Sequence, residues 1–325
     1  MFIVKSPLRV SFFGGGTDIP KVYNEIKGCV FSATINKYIY ININKKWPIS
    51  ETSVTAKYTI LEEEVHARYL KHPIMRTVLV SEGINGVDIS VSSDLPGGTG
   101  LGSSSAFTVG FLLAIKSLKG HSTSNYELAS SACVIEMDQL KEPIGKQDAF
   151  AATFGGINRF DFHENGEVEI AESSLSENNG LRLQKSMYLV RVGGVRKTSD
   201  LLMQQLSELE NQRRQITTYR KIAEQARWAS SLQEFDEEEF GSALDEAWAL
   251  KKSLSPNISN IEIEDLIILG KSCGATGAKL LGAGGSGFVL FIVPEKNRDK
   301  FISLMDNTKI IQPRVDKQGA RIIYS

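Results

Sequence analysis

Between residues 96 and 105 the chain reads Pro96-Gly97-Gly98-Thr99-Gly100-Leu101-Gly102-Ser103-Ser104-Ser105. Ahead of it, Val87-Asp88-Ile89-Ser90-Val91 alternates apolar and polar residues as a half-buried strand does. Behind it, Ala106 to Leu118 is apolar, free of proline and long enough for a helix. Strand, glycine-rich loop and helix in that order make a site for an anion. Glycines adopt positive φ and let backbone approach a phosphate closely. The free N–H groups at a helix start, together with its dipole, favour negative charge. Ser103 to Ser105 suit the N-cap, and a hydroxyl there can also ligate magnesium. Three spaced glycines and three serines exceed what capping a helix needs. The loop is not of Walker A type. Gly97 and Gly102 have the GxxxxG spacing, but Ser103 stands where the lysine belongs. Phosphate charge must therefore be met by backbone amides, a metal and a cation from a distant part of the chain.

A second glycine cluster, Gly282-Ala283-Gly284-Gly285-Ser286-Gly287, satisfies GxGxxG. The dinucleotide fingerprint needs a strand before it and a helix after it. Here Ile263 to Leu281 reads as a helical region broken by Gly270, Gly274 and Gly277, and Phe288 to Val293 as a strand. That context favours a tight loop whose backbone approaches the phosphate site. A nicotinamide-dependent oxidoreductase would instead predict a strand before Gly282. A third motif is Arg9-Val10-Ser11-Phe12-Phe13-Gly14-Gly15-Gly16-Thr17-Asp18, in which a strand delivers an arginine into an open glycine turn. An aspartate beside a hydroxyl in such a turn suits polyol recognition, because carboxylates accept hydrogen bonds from sugar hydroxyls; an Asx-type turn is the other reading. A fourth is Gly145-Lys146-Gln147-Asp148-Ala149, whose aspartate is a candidate base, with Glu136 on the preceding expected helix (Tyr126 to Lys141) a candidate metal contact; a solvated charged face is the other reading of these residues taken alone. His66, His72, His121 and His163 lack metal-ligand spacing, and no GxSxG elbow occurs.

The 325 residues suggest two domains, and 42% hydrophobic and 23% charged content is that of a water-soluble globular chain. A formal net charge of −1 supplies no electrostatic case for nucleic acid or an anionic membrane. Cys29, Cys133 and Cys273 are widely spaced, odd in number and set among apolar or small residues, which predicts buried thiols. No signal-peptide core or long apolar span is evident, and the expected location is cytoplasmic. Residues 2 to 13, Val30 to Asn44, Ile157 to Phe162, Met187 to Val192 and Arg321 to Tyr324 read as strands. Lys197 to Ser231, Glu237 to Leu254 and Lys296 to Asp306 read as helices, Asp236 to Glu239 as a solvated helix start, and Ser173 to Gly180 as a linker.

Taken in order, these motifs resemble the GHMP kinase superfamily of galacto-, homoserine, mevalonate and phosphomevalonate kinases. The resemblance covers nearly the whole chain; Pro-x3-Gly-Leu-Gly-Ser-Ser matches Pro96 to Ser104 without a gap, Arg9 to Asp18 matches the first motif and Lys279 to Gly287 the third. It implies an α+β fold with a ribosomal-S5-domain-2-like N-terminal domain, here residues 1–172, and a ferredoxin-like C-terminal domain, residues 181–325, with the active site between them. Galactokinase-type sequences carry Gly-Glu-His-Thr-Asp where this chain has Gly14-Gly15-Gly16-Thr17-Asp18, so two hydroxyl-binding side chains of that type are absent. The glycine triplet, Gly145 to Asp148 and Phe154-Gly155-Gly156-Ile157-Asn158 look like the branch of heptose 7-phosphate kinases and fucokinases. That branch implies ATP-dependent phosphorylation of the anomeric hydroxyl of D-glycero-D-manno-heptose 7-phosphate, feeding nucleotide-activated heptose for surface glycans; a free-sugar kinase is the alternative.

Carried over by position, Asp148 is the catalytic aspartate and Arg9 the arginine that stabilises charge near the transferred phosphoryl. Ser104 and Glu136 contact magnesium, and Gly98 to Ser104, within the Pro96–Ser105 loop, cradle the phosphates of ATP. Asp18 and Thr17, with Gly15 and Gly16, serve the sugar, and Gly284 and Gly285 line the cleft. A sugar phosphate also needs a cation of its own. Arg191, Arg196 and Lys197 follow a predicted strand, and Arg196 and Lys197 are assigned to that phosphate, a solvated helix start being the other reading. The expected partners are small molecules, with a homodimer allowed for, and neither nucleic acid nor membrane.

Overall fold

The computed structural model describes residues 1–48, 52–193, 213–305 and 309–325. Its frame is an antiparallel pair, β1 (Phe2–Phe13) and β2 (Gly28–Lys45). In β2 the parity seen in the sequence holds, with Ile39, Ile41 and Ile43 buried and Tyr38, Tyr40 and Asn42 half-exposed. Every β2 residue from Gly28 to Ile35 is buried, because helices cover that stretch. The first half continues with α1 (Pro20–Tyr23), β3 (Val54–Lys57), β4 (Leu61–Glu64), α2 (Pro73–Ser81), β5 (Val87–Ser93), α3 (Ser103–Leu118), α4 (Asn125–Cys133), α5 (Gln147–Phe154), β6 (Ile157–Phe162) and β7 (Val168–Glu172). The second half contains α6 (Glu177–Ser186), β8 (Met187–Val192), α7 (Arg213–Ser231), α8 (Glu237–Lys252), α9 (Ile261–Ser272), β9 (Gly277–Leu280), β10 (Gly287–Ile292), α10 (Arg298–Leu304), β11 (Ile310–Ile311) and β12 (Arg321–Tyr324).

Two sheets result. The larger runs β12-β1-β2-β5-β3-β4, with β6 also on β2 and β7 on β6. The smaller is antiparallel, β11-β8-β10-β9. This is a two-domain α+β fold in which α3 packs on β1 and β2, while α8 packs on β9. All three cysteines are buried. No described helix is long and apolar enough to cross a membrane.

Several sequence expectations change. The span from Gly277 to Leu280 is a strand paired with β10, so a strand does precede Gly282, as the oxidoreductase alternative required. The element after the loop, β10, is another antiparallel strand and not a helix, so the strand, loop and helix order of the dinucleotide fingerprint is absent. The helix expected from Tyr126 to Lys141 is α-helical only to Cys133 and becomes a π-helical turn over Val134–Gln139. The expected linker is half helix: Ser176 caps α6 by accepting from Asn179 N. Asp236 caps α8, accepting from the Glu238 and Glu239 amides, in line with the acidic start expected there. Arg196 and Lys197 lie outside the described residues.

The chain's last strand belongs to the first sheet: β12 pairs with β1, so the C-terminal segment recrosses the boundary drawn at residues 172 to 181. Asp316 fastens it. Its carboxylate accepts from Tyr38 Oη (2.7 Å), Arg321 Nη1 and Nη2 (3.0 and 2.8 Å) and the amides of Gln318 and Gly319. Burial alone would raise its pKa, but the hydrogen bonds from Arg321 and Tyr38 outweigh it and hold the carboxyl below its ordinary value. A depressed carboxyl contributes stability that is present above its unfolded pKa, about 4, and is lost as pH falls. Asp316→Ala should destabilise the protein by about 3 kcal/mol at pH 7, with the difference from wild type shrinking in acid. Urea melts at pH 7 and pH 3.5 check this; an equal deficit at both would remove the ionic account.

Candidate active site

A cleft of about 520 Å³ lies between the two halves, lined from one side by Arg9, Gly16, Asp18, Ser104 and Asp148 and from the other by Tyr219, Lys251, Lys279 and Gly282. Gly98, Gly100 and Gly102 all have positive φ, near +75°. Gly102 is the residue before α3, and no side chain caps that helix. Ser103, Ser104 and Ser105 therefore occupy its first turn and are not caps, which leaves first-turn N–H groups for an anion. Within the loop the residues divide. Gly98, Gly100, Gly102 and the three serines face the cleft, whereas Pro96 and Gly97 are exposed at its outer end. Thr99 is buried with its hydroxyl on the Pro96 carbonyl, and Leu101 is a core residue whose carbonyl accepts from Arg9 N (3.0 Å).

The second glycine cluster, Gly282 to Gly287, braces this loop. A Cβ on Gly100 would lie 2.4 Å from the Leu281 carbonyl oxygen and 3.1 Å from Gly282 Cα. The two backbones touch because neither residue has a side chain. Gly282 and Ala283 form the cleft wall, but Gly284 and Gly285, assigned to it from the sequence, do not. Gly284 packs against Ile258, and the Gly285 amide donates to the Ile258 carbonyl (2.9 Å), so both anchor the loop from behind.

At the centre Arg9 grips Asp148: Nε donates to Oδ1 (2.7 Å) and Nη2 to Oδ2 (2.9 Å), while Nη1 donates to the Gly100 carbonyl (2.6 Å). Such a fork fixes the carboxylate in orientation as well as charge. One cation thus ties the aspartate at the head of α5 to the glycine-rich loop. Asp18 accepts from Gly16 N and Gln147 N, both at 3.0 Å, joining the first-motif turn to the same helix start. Burial, reinforced by the charge of Asp148, raises its pKa. Gly15 and Gly16 line the cleft. Thr17 does not. It is fully buried, and its hydroxyl is spent on the Gly14 and Cys29 carbonyls and the Cys29 amide, so it shapes the turn rather than meeting a ligand.

Glu136 sits in the π-helical turn with 1% of its surface exposed. Ser104 Oγ donates to its Oε1 (2.9 Å), while Oε2 has no partner. Burial pushes its pKa up to about 7. π-turns recur at functional sites because the extra residue swings a side chain off the helical register.

Sequence reading missed Ser11, Gln147, Tyr219, Lys251 and Lys279 as cleft residues. Gln147 is 3% exposed; its Oε1 accepts from Ser11 Oγ (3.1 Å) and its Nε2 is unpartnered. Ser11 lies two residues after Arg9 on the same face of β1, a signal present in the sequence, whereas Gln147 adjoins Asp148 in a helix and periodicity does not bring the two to one face. Lys251 closes an ordinary amphipathic helix and carried none.

Two profiles of a single family match the chain: the N-terminal domain of GHMP kinases over residues 67–156 and the C-terminal region of GHMP kinases over residues 228–305, together just over half its length. The chain belongs to the GHMP kinase family, and it is a phosphotransferase. Among its relatives, D-glycero-alpha-D-manno-heptose 7-phosphate kinase of Campylobacter jejuni is 28% identical over 311 residues, covering 93% of this chain and 92% of that one. A galactokinase of Pyrococcus furiosus is 26% identical, covering 92% and 90%. The crystal structure of a D-glycero-D-manno-heptose 1-phosphate kinase from Bacteriodes thetaiotaomicron superposes with a TM-score of 0.79 at 24% identity over 100% of both chains.

Proposed function

We propose that this chain transfers the γ-phosphoryl group of ATP to the anomeric hydroxyl of a heptose phosphate, D-glycero-D-manno-heptose 7-phosphate giving the 1,7-bisphosphate. The observation that carries the kinase chemistry is the Arg9–Asp148 fork set against an uncapped helix start. Phosphoryl transfer asks mainly for positioning and charge neutralisation. The α3 amides and the Gly98–Gly102 backbone hold the phosphates. Asp148 takes the proton of the attacking hydroxyl, and Arg9 keeps its carboxylate aimed.

The donor set beside the loop fits magnesium. A buried carboxylate oxygen without a partner and an adjacent serine hydroxyl are hard oxygen ligands, and magnesium takes few protein ligands when phosphates supply the rest. Glu136 and Ser104 would hold it, and when bound it would neutralise charge on the nucleotide phosphates. Among the described residues no cluster of three His, Cys, Asp or Glu side chains offers an alternative site.

The acceptor assignment is supported by the relatives that act on heptose phosphates and by the open turn at Gly15 and Gly16, where a polyol meets Asp18 and the free Gln147 amide. A free-sugar kinase is the second reading, favoured by the galactokinase match. Incubation with ATP and magnesium against hexoses, heptoses and their phosphates, read by phosphorus NMR, tests the choice. A new anomeric phosphate on the heptose phosphate is expected; turnover of unphosphorylated sugars alone would favour the second reading. Gln147→Ala should raise the acceptor KM by about tenfold and leave that for ATP unchanged. Steady-state kinetics with each substrate varied in turn decides it, and a matched rise in both KM values would remove the acceptor contact.

A further inference from the structure

We propose that Lys251 is the cation that contacts the phosphoryl group in transfer, supplying from the second half of the chain what the phosphate loop lacks. The inference rests on the kinase reading above. Among the described residues three basic side chains line the cleft: Arg9, Lys251 and Lys279. Two are already committed. The guanidinium of Arg9 is spent on Asp148 and the Gly100 carbonyl. The ammonium of Lys279, 4% exposed, donates to the Ser11 and Phe12 carbonyls (3.2 and 2.6 Å) and so ties β9 to β1. Lys251 differs. Its ammonium donates to the Gly282 carbonyl, which leaves two N–H donors at a residue only 9% exposed. A desolvated ammonium with donors to spare is costly unless an anion answers it.

The position suits a phosphoryl group. Gly282, which holds Lys251, is the residue that touches Gly100 of the phosphate loop. The ammonium thus stands where the two glycine loops meet, within the field of Asp18 and Asp148. The last turn of α8 carries it, where the helix dipole favours positive charge. Among the described residues the charged groups around it are Arg9 on β1, Asp18 beyond β1, Asp148 on α5 and Lys279 on β9. Burial, then Arg9, lower the pKa of Lys251 to about 8 in spite of the two aspartates.

Lys251→Met and Lys251→Arg test the assignment. Turnover is measured against pH, and binding of ADP with magnesium is compared, by calorimetry, with binding of ADP, magnesium and aluminium fluoride, which mimics the phosphoryl group in transit. Lys251→Met should lower kcat by about 10²-fold. Its ADP affinity and acceptor KM should stay within about threefold of wild type, and the extra affinity conferred by aluminium fluoride should vanish. In the wild-type enzyme kcat/KM should fall above about pH 8 as the ammonium loses its proton, and Lys251→Arg should abolish that fall because a guanidinium stays charged. A raised acceptor KM with kcat retained would overturn the proposal and give Lys251 to the acceptor's own phosphate. Equal loss of ADP and ADP–aluminium fluoride binding would make it structural. The binding arm needs no acceptor, so it stands apart from the heptose assignment. Should Lys251→Met not fold, the pH comparison of wild type with Lys251→Arg decides alone: unchanged profiles overturn the assignment.

Discussion

Asp148→Asn is expected to lower kcat by about 10⁴-fold, the upper end of what a positioned base contributes, with little change in nucleotide affinity. The substitution keeps the shape of the side chain and one acceptor for Arg9, so the fork that holds Gly100 is weakened rather than lost. The second charged oxygen disappears, and with it the capacity to take a proton. Arg9 also remains beside the loop, 7% exposed, so the variant does not simply empty the centre. Single-turnover kinetics with saturating ATP separates chemistry from binding. If turnover stays within about tenfold of wild type, Asp148 orients rather than deprotonates, and the acceptor hydroxyl loses its proton late in transfer. A rise in ATP KM with kcat preserved would point to loop displacement instead.

Gly100→Val should reduce kcat/KM for ATP by about 10³-fold, combining lost backbone donors with a displaced loop. Gly100 has φ +78°, where a β-branched residue is strained, and its added Cβ would stand 2.4 Å from the Leu281 carbonyl oxygen. Backbone lies on both sides, so no flexible side chain can yield. Relief requires the two glycine loops to part, which moves Gly282 and the carbonyl that receives Lys251. Gly83→Asn is the control. It shares a positive φ, +66°, but nothing lies within 4 Å of the site, and asparagine tolerates this conformation. Activity of that variant should match wild type. Calorimetric ATP binding, with thermal melts for folding, distinguishes the loss of the site from the loss of the protein. Normal ATP binding by Gly100→Val would mean that the loops close without touching.

Local rules carried the reading a long way in this chain. Alternation through β2 and β5, the apolar run of α3 and the acidic start of α8 are short-range patterns, and each element formed where its pattern lay. The glycine loop with its serines and missing lysine was likewise complete within ten residues, so its fit to phosphate needed no tertiary information. Lys251 had no such pattern. A lysine ending an amphipathic helix looks like any solvated helix terminus, and only the packing of α8 on β9 buries it beside Gly282. The strand at Gly277–Leu280 was hidden for a related reason: it opens on a glycine because Gly277 touches the Gly241 backbone of α8, a contact far apart in sequence. Thr17 erred the other way, since a hydroxyl beside Asp18 looked available until the turn buried it against Cys29.

The sequence by itself therefore determined most of the periodic elements and the glycine-rich loop ahead of α3, because both depend on neighbours a few residues away. The tertiary structure alone decided which charges share the cleft. Arg9 is paired with Asp148 across 139 positions of sequence, and Lys251 with Gly282 across 31. Burial sets what those charges can do, and burial is a property of the assembled fold.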